Sequence, residues 1–130
     1  MEWGDFDSDG DLDLAAGKNA FANRVSRNNG DGTFPTMWSS SSVEDDSWSV
    51  RGGDFDNDGD LDMVVGNNGI NEVYRNDGAA AFVLAWNSVE AQNTQSVSWG
   101  DFDNDGDLDY AAGNYQSTDR VFRPNLPARP

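Results

Sequence analysis

The chain has no cysteine and no histidine among its 130 residues. Without cysteine there is no disulfide framework and no thiol chemistry. Without histidine the commonest general base and the commonest transition-metal ligand are both missing. Basic residues are scarce as well: eight Lys and Arg stand against 24 Asp and Glu, for a formal charge of −16, and they form no clustered basic stretch. Proteins that hold nucleic acid neutralise its phosphates with Lys and Arg, so that partner class is excluded. No apolar run approaches the ~18 residues of a membrane-crossing helix, and no membrane insertion is expected. Met1 opens directly onto Glu2-Trp3-Gly4-Asp5, so no signal peptide is expected at this start. Helix signals are also lacking, because Gly, Asn, Asp and Ser interrupt the chain every ten residues or so.

What the chain does have is acid in a fixed pattern. Fifteen of the 24 acidic residues fall in three nine-residue runs of the form D-F-D-x-D-G-D-L-D. The first is Asp5, Phe6, Asp7, Ser8, Asp9, Gly10, Asp11, Leu12, Asp13. The second runs from Asp54 through Asp56, Asp58, Gly59 and Asp60 to Asp62, and the third from Asp101 through Asp103, Asp105, Gly106 and Asp107 to Asp109. Carboxylates at positions 1, 3, 5 and 9, with Gly at 6, suit a loop wrapped around a hard cation. Ca²⁺ takes ~6–8 oxygens, some of them backbone carbonyls, and glycine permits the sharp turn. Position 7 would offer its carbonyl, leaving the Asp11, Asp60 and Asp107 side chains to solvent. Five like charges in nine residues repel one another unless a cation sits among them. Oxygen-only ligands favour Ca²⁺ over Zn²⁺ or copper, and Mg²⁺ prefers a strict octahedron with its own waters. The pattern is not an EF-hand. Position 12 is Ala16, Val65 or Ala112 rather than Glu, and the flanks read as strands, so each loop is expected to turn a β-hairpin.

The loops recur at intervals of 49 and 47 residues, and more than the loop recurs. Arg27, Arg75 and Arg123 each close a short apolar-polar stretch 13 or 14 residues past a loop. Asn28-Asn29-Gly30 and Asn76-Asp77-Gly78 then give turn signals. Phe34-Pro35-Thr36-Met37-Trp38 and Phe82-Val83-Leu84-Ala85-Trp86 read as the next strands. One repeat is therefore strand, metal loop, strand, loop, strand, turn, strand: a four-stranded antiparallel meander of about 48 residues, the pattern of a β-propeller blade. The fold class is all-β. The blades are expected at 1–46, 47–93 and 94–130, with strand 1 of the first cut short and strand 4 of the third missing, where Pro124-Asn125-Leu126-Pro127 replaces the turn. Trp3 and Trp99 precede two loops by two residues, and Trp38 and Trp86 close strand 4. Their shared phase predicts packing between adjacent blades. Gly52 stands where Trp3 and Trp99 stand in the other repeats, so that strand is expected to pack differently.

With this loop after a Trp-Gly or Gly-Gly strand and R-N-[ND]-G downstream, the chain resembles the FG-GAP repeat, also called the VCBS repeat. This is the Ca²⁺-binding blade of integrin α-subunit propellers and of many bacterial secreted proteins. The resemblance covers nearly the whole chain. It implies three Ca²⁺ sites. The first is Asp5, Asp7, Asp9, the Asp11 carbonyl and Asp13; the second is Asp54, Asp56, Asp58, the Asp60 carbonyl and Asp62; the third is Asp101, Asp103, Asp105, the Asp107 carbonyl and Asp109. It also implies an extracellular or cell-surface parent and a binding or adhesion scaffold. Three Ca²⁺, six positive charges, would bring the formal charge from −16 to −10.

Propeller rings typically need 4–8 blades. Three blades would leave an apolar face and open strand edges at each end, so a homo-oligomer is expected, with two chains making a six-bladed ring. No catalytic residues are expected: every close Asp pair belongs to a metal loop, and no nucleophile–base pair or phosphate-binding glycine loop is present. The alternative is a propeller lectin that stacks glycans on Trp48, Tyr115 and Phe21, which lie outside the recurring core phase. The structural reading of those three is ordinary loop or edge residues. A protein ligand is equally open.

Overall fold

The computed structural model describes residues 1–41 and 46–124, and among them there are strands, turns and no helix. The first blade holds β1 (Glu2–Gly4), β2 (Asp13–Ala16), β3 (Arg24–Ser26) and β4 (Thr36–Ser39). The second holds β5 (Ser47–Gly53), β6 (Asp62–Gly69), β7 (Glu72–Asn76) and β8 (Phe82–Asn87). The third holds β9 (Gln92–Gly100), β10 (Asp109–Asn114) and β11 (Arg120–Phe122). Every pairing is antiparallel and joins sequence neighbours, with one exception. The curled antiparallel sheets are consistent with a partial β-propeller. The expected absence of a fourth strand from the third blade falls on residues 125–130, outside the described residues.

The exception joins two blades. Asn68 pairs with Asn93 and Gly69 with Gln92, so β6 and β9 belong to one seven-stranded sheet. The cause is strand length. Pairing of β6 with β5 ends at Asn67 and with β7 at Val65, so its last residues run past both neighbours, although the Asn68 N–H still donates to the Asp46 carbonyl at 2.9 Å. Gln92 and Asn93, the first residues of β9, pair with that extension. A smaller departure is in β4, which starts at Thr36 rather than Phe34. The Pro35 carbonyl still accepts the Arg27 N–H at 2.9 Å, but proline has no N–H to return, and the ladder shifts register between Val25 and Ser26.

The core lies between blades. One buried cluster joins the first two around Phe6, Val25, Val50, Met63, Val65 and Tyr74, with Trp38 packed on it. The other joins the second and third around Phe55, Val64, Val73, Val97 and Tyr110, with Trp86 and Trp99 packed on it. The alternation along β6 explains this division. Met63 and Val65 face the first cluster and Val64 the second, because successive strand residues point to opposite faces. A sheet covered on both faces reads as a continuous apolar run, as Met63-Val64-Val65 does.

The tryptophans follow the expected phase except one. Trp38 meets Tyr74 and Phe82 edge-on or tilted at 5.1 and 5.2 Å, and Trp86 meets Tyr110 and Phe122 at 5.7 Å. Trp99 stacks on Phe55 at 5.8 Å across the second boundary. Trp3 does not lie between blades. It is 57% exposed, and among the described residues its ring contact is with Phe34 of its own blade. At Gly52 the missing indole is replaced by Phe6, whose ring lies 3.4 Å from where a Cβ would be.

Candidate metal centres

The three acidic loops join strands 1 and 2 of their blades and are built alike, down to single hydrogen bonds. The first carboxylate folds back over the turn. Asp5 accepts from the N–H groups of Asp9 and Gly10, Asp54 from Asp58 and Gly59, and Asp101 from Asp105 and Gly106, all at 2.9–3.1 Å. The fifth residue then accepts from the seventh: Asp9 from Asp11, Asp58 from Asp60 and Asp105 from Asp107. This winding needs left-handed backbone at position 6, where Gly10, Gly59 and Gly106 have φ of 92–95°. Position 4 is left-handed too, at Ser8, Asn57 and Asn104. Asparagine tolerates that conformation better than serine.

The ninth carboxylate is the anchor. Asp13 and Asp62 are fully buried and Asp109 nearly so. One oxygen of each accepts the N–H of the loop's phenylalanine: Phe6 at 2.9 Å, Phe55 at 3.0 Å and Phe102 at 3.2 Å. The other oxygen of Asp13 accepts from Asn28, and that of Asp62 from Asn76. Asn76 also spans two blades, its Nδ2 donating to the carbonyls of Phe6 and Leu61. The third repeat has Pro124 at this position, which carries no N–H, so Asp109 lacks that support.

Convergence is complete in one loop and partial in two. One carboxylate oxygen each from Asp54, Asp56, Asp58 and Asp62 lies within 4.8 Å of the others. The corresponding clusters elsewhere are Asp5, Asp7 and Asp13, and Asp101, Asp103 and Asp109. Position 5 of those loops, Asp9 and Asp105, stands outside the clusters. In the first loop a guanidinium explains this: Arg27 Nη2 bonds Asp9 at 3.1 Å and its Nε bonds Asp7 at 3.0 Å. Arg123 bonds Asp103 at 3.1 Å in the third loop, while Arg75 turns away to Asp77 at 2.7 Å. The position-7 residues Asp11, Asp60 and Asp107 are not in the clusters either. Asp107 is not left to solvent alone, since its carboxylate and the Gly106 carbonyl accept from Asn57 Nδ2 at 3.0 and 3.1 Å.

Packing these acids together raises the proton affinity of several. Burial, and then the charges of Asp56 and Asp58, push Asp62 to about 7 despite two backbone N–H donors. Burial also raises Asp7 and Asp109, with neighbouring loop carboxylates adding to it. Asp9 goes the other way, held down by the Asp11 N–H and by Arg27. The donor set is all oxygen, hard and anionic, and fits Ca²⁺.

Sequence reasoning missed the asparagines that hold these loops in place. Asn28 and Asn76 read only as turn formers, yet they fasten the ninth carboxylate. Buried Asn23 and Asn71 do the same for the strand 2–strand 3 connection, accepting from the N–H of Lys18 and Asn67, with Asp119 accepting from Asn114 in the third repeat. Their common phase was the available signal. The aromatic residues outside the core phase are all exposed: Phe21 68%, Trp48 49% and Tyr115 58%. The meander places them at the end of the blades opposite the acidic loops.

Residues 5–65 and 54–112 each match the family described as FG-GAP-like repeat. A search of curated proteins gives no match.

Proposed function

This chain belongs to the FG-GAP-like repeat family, and from that premise we propose that it is a calcium-stabilised β-propeller module, a non-catalytic scaffold for binding or adhesion in an extracellular setting. The observation that carries the reading is the convergence of Asp54, Asp56, Asp58 and Asp62 on one point with oxygen atoms alone. The same loop occurs three times. In each, Ca²⁺ would be held by the carboxylates at positions 1, 3, 5 and 9 and by the position-7 carbonyl. Bound metal supplies charge compensation to the acids and ties strand 1 to strand 2. The protein's own part is to hold the ninth carboxylate rigid through the loop phenylalanine and, in the first two loops, through Asn28 and Asn76, and to shape the turn at glycine. Arg27 and Arg123 occupy ligand carboxylates in the first and third loops, so those two sites exchange an ion pair for the metal. The second loop is the tightest of the three for that reason.

Isothermal titration with Ca²⁺ tests this. Three ions per chain are expected, with affinities on the order of the ~10⁻⁴–10⁻³ M typical of extracellular modules. Affinity should fall as pH is lowered through 7, where Asp62 takes up a proton that competes with the metal. Binding of Mg²⁺ as tight as Ca²⁺, or no heat at all, contradicts the assignment.

A second reading rests on the aromatic end. Phe21, Trp48 and Tyr115 are exposed at the end away from the acidic loops, where a sugar could stack without competing with the metal. Quenching or shift of tryptophan emission by added saccharides, abolished in Trp48→Ala, supports it; no spectral change with any of a broad glycan panel removes it.

A further inference from the structure

We infer that Asn57 of the second loop is a positioning residue of the third calcium site, so that an ion in the second site prepares the third; this rests on the calcium reading above and deepens it. Asn57 is not itself a ligand. It holds position 4 of its own loop, between the ligands Asp56 and Asp58. Its side chain leaves that loop and crosses to the next blade. There Nδ2 donates to the Gly106 carbonyl at 3.1 Å and to the Asp107 carboxylate at 3.0 Å.

Those two acceptors belong to the part of the third loop that carries its ligands. The Asp107 N–H donates to Asp105 at 3.0 Å, and the N–H groups of Asp105 and Gly106 donate to Asp101 at 3.1 and 3.0 Å. Positions 1, 5 and 7 are thus joined in one hydrogen-bonded unit, and Asn57 fastens that unit to the second blade. The third loop is also the one least complete by itself. Its position-5 carboxylate stands outside the cluster of Asp101, Asp103 and Asp109, Arg123 holds Asp103 at 3.1 Å, and Pro124 offers Asp109 no N–H. The second loop already brings four carboxylates together, so it fills first. An ion held by Asp56 and Asp58 fixes the backbone of Asn57 between them. The amide is then held still for its two acceptors, and the third loop has less freedom left to lose when its own ion enters.

The first loop lacks this device. Its position 4 is Ser8, whose backbone is left-handed like that of Asn57, with φ of 62° against 58°. A serine hydroxyl lies one bond nearer the backbone than an asparagine Nδ2. Among the described residues Ser8 makes no bond to Gly59 or Asp60, which hold the places of Gly106 and Asp107. Coupling through position 4 therefore joins the second and third sites and leaves out the first. It is reciprocal: an ion in the third site strengthens the second by the same factor.

The position-6 glycines, Gly10, Gly59 and Gly106, report each site separately when nitrogen–proton correlation spectra follow a Ca²⁺ titration. In the wild type Gly59 should reach its midpoint first, and Gly106 should follow steeply. Asn57→Gly removes the amide and keeps a residue that accepts left-handed backbone. It should raise the Gly106 midpoint relative to that of Gly59 by about fivefold, the low end of ordinary coupling between sites. Asp58→Asn weakens the second site with Asn57 in place, and it should raise the Gly106 midpoint as well. Asp107→Ala should do the same, and combined with Asn57→Gly the increase should fall short of the product of the two, because both act on one contact. In chelator, the Asp105, Gly106 and Asp107 amides of Asn57→Gly should exchange roughly several-fold faster than in the wild type, a reading of the contact that needs no metal. A folded Asn57→Gly protein whose Gly106 midpoint keeps its place relative to Gly59 overturns the role of Asn57 and leaves the calcium reading intact. So does a Gly106 midpoint that ignores Asp58→Asn, or full additivity in the double variant. Three glycine amides that do not respond to Ca²⁺ remove the calcium reading itself.

Discussion

Adding millimolar Ca²⁺ to chelator-treated protein should raise its thermal midpoint by roughly 3–20 °C. Each site with a dissociation constant of ~10⁻⁴–10⁻³ M adds roughly 0.4–1.4 kcal/mol at that concentration, because ligand that binds only the folded state stabilises it by RT ln(1 + [L]/Kd). Three sites together amount to roughly 1–4 kcal/mol, and a domain of this size shifts by about 3–5 °C per kcal/mol. The size of the effect reflects how the loops are built. Four carboxylates meet in the second loop within 4.8 Å, and burial with the neighbouring charges holds Asp62 near 7. Without metal, the pH dependence has a definite sign. An Asp released by unfolding returns to its ordinary 3.8, so between about 4 and 7 the folded state holds a proton that the unfolded state does not. Stability from this group is complete below that window and is lost as pH rises through 7. Metal-free protein should therefore melt at a lower temperature at pH 8 than at pH 5. With Ca²⁺ the difference should shrink or reverse, because the ion replaces the proton. Scanning calorimetry in chelator and in Ca²⁺ at both values checks this; midpoints that ignore both the chelator and the pH contradict it.

Asp62→Ala should be the most damaging single change in the loops, costing about 3–4 kcal/mol even in chelator. Asp62 is fully buried, and its two oxygens accept from Phe55 at 3.0 Å and Asn76 at 2.8 Å. Removing the carboxylate strands two N–H groups at the junction of three strands, and each buried donor left unpaired costs ~1–3 kcal/mol. Part of that loss is returned by relief of repulsion with Asp56 and Asp58, which keeps the total below the upper sum. Asp60→Ala, one position outside the cluster, should cost less than about 0.5 kcal/mol, since it removes no clustered carboxylate and leaves the position-7 carbonyl in place. Chemical denaturation of the two variants in chelator measures the difference directly. Equal stability for both would mean that the ninth carboxylate is not the anchor of the loop.

The loops, the strand 1–strand 2 hairpins and the meander order were legible because each is local. A D-x-D-x-D-G-x-x-D run dictates its own turn, and alternation such as Met63-Val64-Val65 declares a strand. What escaped reading lies between repeats. Phe6 carries no packing role in the sequence motif, yet it takes the place of a missing indole beside Gly52. Asn76 looked like a turn former, yet it ties the first blade to the second through the Phe6 carbonyl, 70 residues away. Such contacts depend on how blades stack, and no local period encodes that. The pairing of β6 with β9 was hidden for the same reason: it follows from a strand running past its neighbours. The partial clusters in the first and third loops escaped because identical motifs were read as identical sites. Arg27 and Arg75 hold the same phase, but one turns into its loop and the other to Asp77.

Hydrogen exchange of the three loops, with Ca²⁺ and with chelator, is the most direct test that a cation fastens strand 1 to strand 2 in every blade. The amides of Phe6, Phe55 and Phe102, and those of Asp9, Asp58 and Asp105, report on the carboxylates that hold them. Ca²⁺ should slow exchange at all six positions while β7 and β8 change little. Exchange that is the same in both conditions would show that the loops hold their shape without metal, and that these acids serve some other purpose.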